Sequence, residues 1–215
     1  YTSPHPQDMD DELLKIMRDN KNICNYIHLP LQSGSNRILK RMNRTYTRKE
    51  YLHLVDRIYH YLPDCSISTD VIVGFPGETD IEFEETLDLM RRVSFNQAYM
   101  FKYSSRPGTK AAEYSDQIDD EVRQSRLEKV INLQKQLTLQ ENQKYIGQVL
   151  DVLVEKESKK SSEQWAGRTD GNTWVIFDKT NENIKDIVSV LIQDAQGVSL
   201  LGKRIKLKEF VYEVN

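Results

Sequence analysis

The sequence predicts two structural units, an α/β unit with a parallel sheet followed by a small all-β barrel. Through about residue 109, short apolar runs alternate with amphipathic helical stretches, a pattern typical of parallel strands joined by right-handed crossovers. From residue 147 onward, about five short β-prone runs lie between turn signals, which indicates a small closed barrel. A long polar helix separates the two patterns. We therefore expect an α/β domain over residues 1–116, a connecting helix over 117–144 and a β-barrel over 145–215.

Local signals place the elements of the first unit. Thr47 and Thr79 each precede a glutamate by three residues. Such capping boxes begin helices, because the hydroxyl and the carboxylate satisfy free backbone N–H groups. Ser35 begins a shorter helix in the same way. Together with the strands, these helices predict an open, incomplete barrel of about four parallel strands with helices on one side. The strands are expected at Tyr1–Ser3 (the end of an earlier strand), Tyr26–Leu31, Ser66–Val73 and Ala98–Tyr103.

The second unit is predicted from β-prone runs and from the turns between them. Asp170–Asn172 and Gln196–Gly197 are turn sequences. Trp174 lies within a β-prone run, and we expect its side chain to fill the barrel core. The strands are expected at Val149–Val154, Trp174–Phe177, Ile187–Ile192 and Ile205–Val211.

Composition excludes several classes of function. The formal net charge of −3 is nearly balanced, so there is no global signature of nucleic-acid binding, although a local basic face remains open. No apolar run approaches the roughly 20 residues of a membrane span, so we expect no membrane partner. The two cysteines, Cys24 and Cys65, form no ligand or redox motif; we expect both to be buried and the protein to be cytoplasmic. The four histidines show no metal-ligand spacing, and we predict no metal site.

Three polar segments follow predicted strands, at the edge of a parallel sheet where ligands bind. His28–Asn36 carries hydroxyl and amide side chains, although Ser35 also serves as an ordinary helix cap. Asp70 precedes Gly74 and Gly77, which let a backbone approach a flat ligand or simply form a turn. Tyr103–Thr109 contains Arg106, which suits an anion and is equally common in a surface turn. The acidic run after Gly77 is expected to be a solvated helix face.

Longer motifs resemble one particular protein family. HLPLQSGSNRILKRMNRTYTRKEY, STDVIVGFPGETDIEFEETLDL and MFKYSSRPGTKAA resemble the methylthiotransferase family of radical S-adenosylmethionine (SAM) enzymes. The segment SKKSSEQWAGRTDGNTWVIF resembles the TRAM domain that closes these proteins. The resemblance implies a partial β/α barrel of the radical SAM type followed by a TRAM barrel that binds RNA.

The resemblance also implies a site and an activity. SAM is expected to contact Gln32, Ser33, Ser35, Asp70 and Gly74, and tRNA to contact Arg106, Lys159, Lys160 and Arg168. The implied reaction adds a methylthio group to C2 of N6-isopentenyladenosine next to the tRNA anticodon. Alternatives within the family are another tRNA adenosine or a ribosomal-protein aspartate. A non-catalytic RNA-binding module is the alternative outside it. The sulfur donor is unknown.

One feature departs from the family pattern. The family holds two 4Fe–4S clusters with six cysteines, three of them in a Cys-x3-Cys-x2-Cys motif, and cluster chemistry needs several thiolates. This chain has two distant cysteines. We therefore expect the cluster cysteines to lie upstream of Tyr1, the catalytic residues to lie outside this chain, and the chain to be a C-terminal portion that binds no cluster and is inactive by itself.

Overall fold

The structure is a computed structural model that describes residues 4–205. The chain forms two compact units, Tyr1–Leu137 (unit 1) and Thr138–Asn215 (unit 2). The boundary between them falls inside one long helix, Asp120–Gln143. Within the described residues, none of the helices combines the length and the apolarity that crossing a lipid bilayer requires.

Unit 1 contains a three-stranded parallel sheet in the order β1-β2-β3. Ile67, Val71 and Val73 alternate along β2 and join the apolar faces of the helices in one core, so the helices cover one face of the sheet. The fourth strand expected at Tyr1–Ser3 lies outside the described residues. The elements of unit 1 are α1 (Asp11–Asp19), β1 (Tyr26–His28), α2 (Asn36–Arg41), α3 (Arg48–Tyr61), β2 (Ser66–Val73), α4 (Asp80–Val93), β3 (Gln97–Lys102) and α5 (Asp120–Gln143), with 3-10 turns at Pro6–Asp8 and Lys110–Glu113.

The local signals for helix starts are confirmed. Thr47 and Thr79 both form complete capping boxes, and the Ser35 side chain caps α2. Strand β1 is shorter than predicted because Pro30 has no N–H to donate to the ladder. The hydroxyl of Tyr51 donates to the carbonyl of Leu29 at 2.8 Å, which satisfies a backbone group where the regular strand has ended.

Unit 2 is a closed five-stranded barrel in the order β4-β5-β6-β8-β7, which confirms the predicted all-β architecture. All neighbouring pairs are antiparallel except β6 and β8, which are parallel. The sequence did not predict β5 or β8, since the last strand was expected at Ile205–Val211, of which residues 206–211 lie outside the described part. The strands are β4 (Val149–Glu157), β5 (Gln164–Arg168), β6 (Trp174–Asp178), β7 (Ile187–Gln196) and β8 (Ser199–Arg204).

Two burial predictions are wrong. Trp174 does not fill the barrel core: Val175 and Phe177 do, and because side chains alternate along a strand, Trp174 lies on the opposite side of β6. There the Lys156 ammonium lies 4.3 Å from the centre of its ring. Cys65 is buried as expected, but Cys24 is exposed in the loop before β1.

Candidate functional site

The face of the sheet that the helices leave uncovered carries a chain of polar side chains. The hydroxyls of Tyr26 and Ser68 lie 2.6 Å apart, and Nδ1 of His28 lies 2.8 Å from the same serine oxygen. Nε2 of His28 lies 3.4 Å from Oδ2 of Asp70. The ring of Tyr99, half exposed on β3, meets the imidazole edge-on. Asp70 therefore lies on the uncovered face, where its carboxylate contacts His28 of the neighbouring strand β1.

Gln32 and Asp70 come together at the carboxyl end of the sheet. The backbone N–H of Gln32 donates to the carbonyl of Asp70 at 2.8 Å, and its own carbonyl accepts from Ile72 at 2.9 Å. Gln32 has a φ of 68°, a left-handed conformation that is uncommon outside glycine. Both side chains line a cleft of about 910 Å³. The structure thus brings two of the five predicted cofactor residues to one concave surface.

Ser33 and Ser35 lie elsewhere: both are buried against α4. The hydroxyl of Ser35 donates to Glu82 at 3.1 Å, and that of Ser33 lies 3.5 Å from the hydroxyl of Thr86. The backbone N–H of Gly34 donates to the same threonine at 2.9 Å. These serines fix the loop after β1 to α4 and do not line the cleft, and their contact with a cofactor stays a prediction.

Gly74 begins the turn after β2 with a φ of 69°. Its N–H donates to Oε2 of Glu78 at 2.7 Å, and the guanidinium of Arg126 donates to the same oxygen at 2.8 Å. Glu78 and Arg126 are 3% and 6% exposed, so this is a buried ion pair. Burial raises the pKa of the Glu78 carboxyl, against the lowering effect of its hydrogen bond from Gly74 and of the Arg126 charge. Gly74 does not line the cleft, and its role beside a cofactor also stays a prediction.

The acidic run after Gly77 is not uniformly solvated, so that expectation is wrong for two of its members. Glu78 is buried as described, and Glu82 is 8% exposed. Glu82 accepts hydrogen bonds from Arg37 and from Thr79, and these hold the pKa of its carboxyl at about 2, the bond from Arg37 being the largest cause. Both carboxylates are structural parts of the turn that follows β2.

The predicted RNA-binding residues fall into three environments. Arg106 is exposed and lines the cleft of unit 1. Lys159 and Lys160 are exposed in the turn between β4 and β5 of unit 2. Arg168 donates to Glu155 at 2.7 Å and lies 5.2 Å from the centre of the Trp174 ring.

Three groups of residues escaped the sequence analysis. The pairing of His28 with Asp70 and that of Glu78 with Arg126 join residues 42 and 48 positions apart, and no local signal marks them. The third group is a set of basic side chains that line the cleft with Arg106. For these a signal existed, because the stretch from Lys40 to Arg44 holds three cations directly after the His28–Asn36 motif.

Comparison with known proteins identifies both units. Residues 2–90 match the Radical SAM superfamily, and residues 143–205 match the TRAM domain. Each unit of the chain thus resembles one of these two families over part of the chain. A coproporphyrinogen III oxidase from Escherichia coli, titled a radical SAM enzyme, superposes with a TM-score of 0.54 at 12% identity. The superposition covers 78% of this chain and 45% of that one, and it supports the partial radical SAM fold.

Sequence relatives lie much closer. The chain is 45% identical over 210 residues to a tRNA-2-methylthio-N(6)-dimethylallyladenosine synthase from Christiangramia forsetii, covering 97% of this chain and 44% of the relative. It is 47% identical over 207 residues to the protein of the same name from Porphyromonas gingivalis, covering 96% and 45%. The resemblance to the methylthiotransferases is therefore confirmed, and the chain spans about 45% of the length of these relatives.

Proposed function

We propose that this chain belongs to a cytoplasmic tRNA methylthiotransferase that adds a methylthio group to C2 of N6-isopentenyladenosine next to the anticodon. The observation that carries the proposal is the 45–47% identity to synthases named for this reaction, which extends across both units. In this proposal unit 1 forms a wall of the SAM site, and unit 2 holds the tRNA through Lys159, Lys160 and Arg168.

The cleft of unit 1 suits part of SAM. The Asp70 carboxylate accepts hydrogen bonds of the kind that ribose hydroxyls and an adenine amine donate, and Gln32 both donates and accepts. His28 contacts Asp70 and is itself positioned by Ser68, so the carboxylate is oriented before a ligand arrives. When bound, SAM supplies the adenosyl radical and, in a second use, the methyl group. The residues of this chain bind and orient it at the carboxyl ends of β1 and β2.

The residues of the chain do not fit an iron–sulfur cluster. A cluster is held by several thiolates, usually four cysteines. Cys65 is buried and Cys24 is exposed, and no group of three potential metal ligands occurs among residues 4–205. In the proposed enzyme, the 4Fe–4S clusters are held by cysteines that this chain does not supply.

The activity is tested by nucleoside analysis of tRNA from cells that lack the gene. We expect N6-isopentenyladenosine to accumulate without its 2-methylthio group, and a plasmid copy of the full-length gene to restore it. Unchanged methylthio-nucleoside content in the deletion strain contradicts the proposal.

The cofactor site is tested separately in the full-length protein. Asp70→Ala is expected to weaken SAM binding more than tRNA binding, whereas Asp70→Asn, which keeps the shape and one acceptor oxygen, has a smaller effect. Equal losses for both ligands indicate a folding defect and count against the assignment of Asp70.

A further inference from the structure

Helix α5 and the loop before it contact the turn that follows β2, although neither family match reaches this part of the chain. The matches cover residues 2–90 and 143–205, and α5 begins between them. Three residues from this stretch contact the turn: Asp116, Arg123 and Arg126. The sequence predicted only that α5 connects the two units, so these contacts give the helix a second role.

The two glycines of the turn make room for these residues. Gly74 and Gly77 have φ values of 69° and 75°. A Cβ added to Gly74 would lie well within 3.0 Å of Cγ of Arg123, and one added to Gly77 would overlap the Asp116 carboxylate. The N–H of Gly77 also donates to the backbone carbonyl of Asp116 at 2.7 Å. The absent side chains therefore allow α5 and its preceding loop to pack directly on the backbone of the turn.

Arg126 fixes the end of the same turn. Its guanidinium donates to the backbone carbonyl of Glu78 at 2.9 Å and to the Asp80 carboxylate at 2.8 Å, in addition to the buried ion pair with Glu78. Because Glu78 also accepts from the N–H of Gly74, this arginine supports both ends of the turn. Its loss leaves a buried carboxylate without a counter-charge, which destabilises the unit as a whole. Arg126 is therefore a structural residue and a poor probe of the site.

Arg123 joins the turn to the end of β3. Its aliphatic stem packs against Gly74, and its Nη1 donates to the backbone carbonyl of Tyr103 at 2.7 Å. The residue after Gly74 is Phe75, whose ring meets that of Tyr103 edge-on with the centres 5.1 Å apart. Both rings line the cleft that Asp70 also lines, and Arg123 is not among its described lining residues. One wall of the cleft therefore depends on a side chain that lies outside it.

We propose that Arg123 is a positioning residue of the SAM site. It acts through Phe75 and Tyr103, because it holds the two segments that carry these rings in one relative position. The inference rests on the proposed function in that the cleft of unit 1 binds SAM. It goes beyond that function by giving α5 a part in the affinity for the cofactor.

The physical basis is preorganisation. A wall that is fixed before binding does not have to be ordered by the ligand, so less of the interaction free energy is lost on association. The hydrogen bond from Arg123 to the Tyr103 carbonyl has a charged donor, and such bonds are stronger than those between neutral groups. Removing the donor frees the end of β3 from the turn after β2 while leaving the buried ion pair of Glu78 intact.

The role is tested by equilibrium binding of SAM to the full-length holoenzyme, measured by calorimetry. Arg123→Met keeps an apolar stem and removes the guanidinium, and we expect it to weaken SAM binding by about tenfold, as for a lost hydrogen bond from a charged group. Arg123→Lys keeps a charged donor in a different geometry, and we expect it to recover most of the affinity. Wild-type SAM affinity in Arg123→Met overturns the proposal.

A matched control and two further measurements separate positioning from folding. Lys135→Met removes one charge from an exposed position on the same helix, and we expect it to bind SAM as the wild type does. The affinity for tRNA and the hydrogen-exchange protection of unit 1 are measured for every variant. We expect Arg123→Met to leave both unchanged. A joint loss of SAM affinity, tRNA affinity and protection shows a structural role only and overturns the proposal.

The contact between Arg123 and Gly74 has a signature of its own. Gly74→Ala places a methyl group against the Arg123 stem, and Arg123→Ala removes the atoms that the methyl group overlaps most closely. Since residues in contact are energetically coupled, we expect the double variant to bind SAM more tightly than the two separate losses add up to. Additive losses show that Gly74 makes room for something other than Arg123, and they also overturn the proposal.

The two proposals fail separately. A wild-type holoenzyme that does not bind SAM contradicts the cofactor site of the proposed function. A wild type and an Arg123→Met variant that bind SAM equally well overturn only the role of Arg123. A deletion strain with a normal nucleoside profile contradicts the proposed reaction and leaves the comparison of SAM affinities standing.

Discussion

The barrel strands and the cleft of unit 1 differ in how their basic residues are paired. In the barrel, Arg168, Lys179 and Arg204 each form an ion pair with a glutamate: Arg168 with Glu155, Lys179 with Glu157 and Arg204 with Glu182. In the cleft of unit 1, four cations have no carboxylate within 4.0 Å among residues 4–205: Lys40, Arg44, Arg106 and Lys110. The number of lysines and arginines in a region therefore does not show where the surface is basic. It is the absence of a carboxylate partner that marks such a surface.

The difference follows from how each sheet is built. In a closed barrel, every strand has a neighbour on both sides, and opposite charges opposite each other on antiparallel strands stabilise each other. At the carboxyl ends of parallel strands, loops gather side chains that no strand partner covers. Among the described residues of the barrel, cations without a carboxylate partner lie in a turn, at Lys159 and Lys160, and also on strands, where Lys156 contacts the Trp174 ring and Lys203 is exposed.

The largest effect is expected for the buried ion pair of unit 1. Arg126→Met leaves the Glu78 carboxylate buried without its counter-charge, and we expect a loss of about 3–5 kcal/mol in the free energy of unfolding of unit 1. Adding Glu78→Gln removes the buried charge and recovers most of the loss. Urea unfolding followed by hydrogen exchange measures unit 1, and the fluorescence of Trp165 and Trp174 reports on unit 2.

The control for this variant is Arg92→Met, which alters an exposed pair with Asp88 at 3.7 Å. Surface pairs of this kind contribute about 0–1 kcal/mol. A loss for Arg126→Met as small as that of the control shows that the buried pair does not hold the turn.

The next largest effect is expected for the stability of unit 1 in acid, which depends on the Glu82 carboxylate. The folded-state pKa of Glu82 is about 2, below its ordinary value of 4.5, so its contribution is complete above about pH 4.5 and is lost as the pH falls through about 2. We expect unit 1 to lose about 2–3 kcal/mol over this window, and Glu82→Gln to remove that part of the pH dependence. Chemical denaturation between pH 2 and 6 measures it. An unchanged profile in Glu82→Gln contradicts the assignment.

A matched pair of glycines compares packing in the two units. A Cβ added to Gly34 lies 2.4 Å from the Glu85 carbonyl oxygen, and one added to Gly167 lies 2.4 Å from that of Leu153. Backbone atoms cannot rotate away, so we expect Gly34→Ala and Gly167→Ala each to cost about 1–3 kcal/mol. Hydrogen exchange is expected to localise the first loss to unit 1 and the second to unit 2, with Ser162→Ala as a neutral control.

The smallest effect is expected for the ion pair of Arg168 with Glu155 in the barrel. The test asks whether this pairing prevents Arg168 from contacting RNA. Glu155→Gln removes the partner of Arg168, and we expect less than about 1 kcal/mol change in stability. The affinity of the full-length protein for fluorescein-labelled oligo(rA)12 is measured by anisotropy at several salt concentrations. We expect the slope of log K against log salt to steepen by at most about 0.7, which corresponds to one phosphate contact. Glu163→Gln removes an equal charge in an exposed turn and frees no cation. Identical slopes for the two variants show that Arg168 does not contact RNA even when unpaired.

The sequence by itself determined the elements whose cause is local. Strand β2 begins and ends where its apolar run predicts, and the helices after Thr47 and Thr79 begin at their capping boxes. These signals need only residues within one turn of each other, so no knowledge of the fold is required to interpret them. The long motifs also predicted the resemblance to the methylthiotransferases, because such motifs are recognised from residue order alone.

Only the tertiary structure decided which side chains are buried, paired or free. The sequence predicts that Glu78 is solvated, but in the structure it is buried and paired with Arg126, 48 residues later. The burial of Ser33 against α4 and the position of Arg44 in the lining of the cleft are likewise not visible in the sequence. Burial and charge pairing depend on contacts between distant segments, and those contacts exist only once the chain has folded.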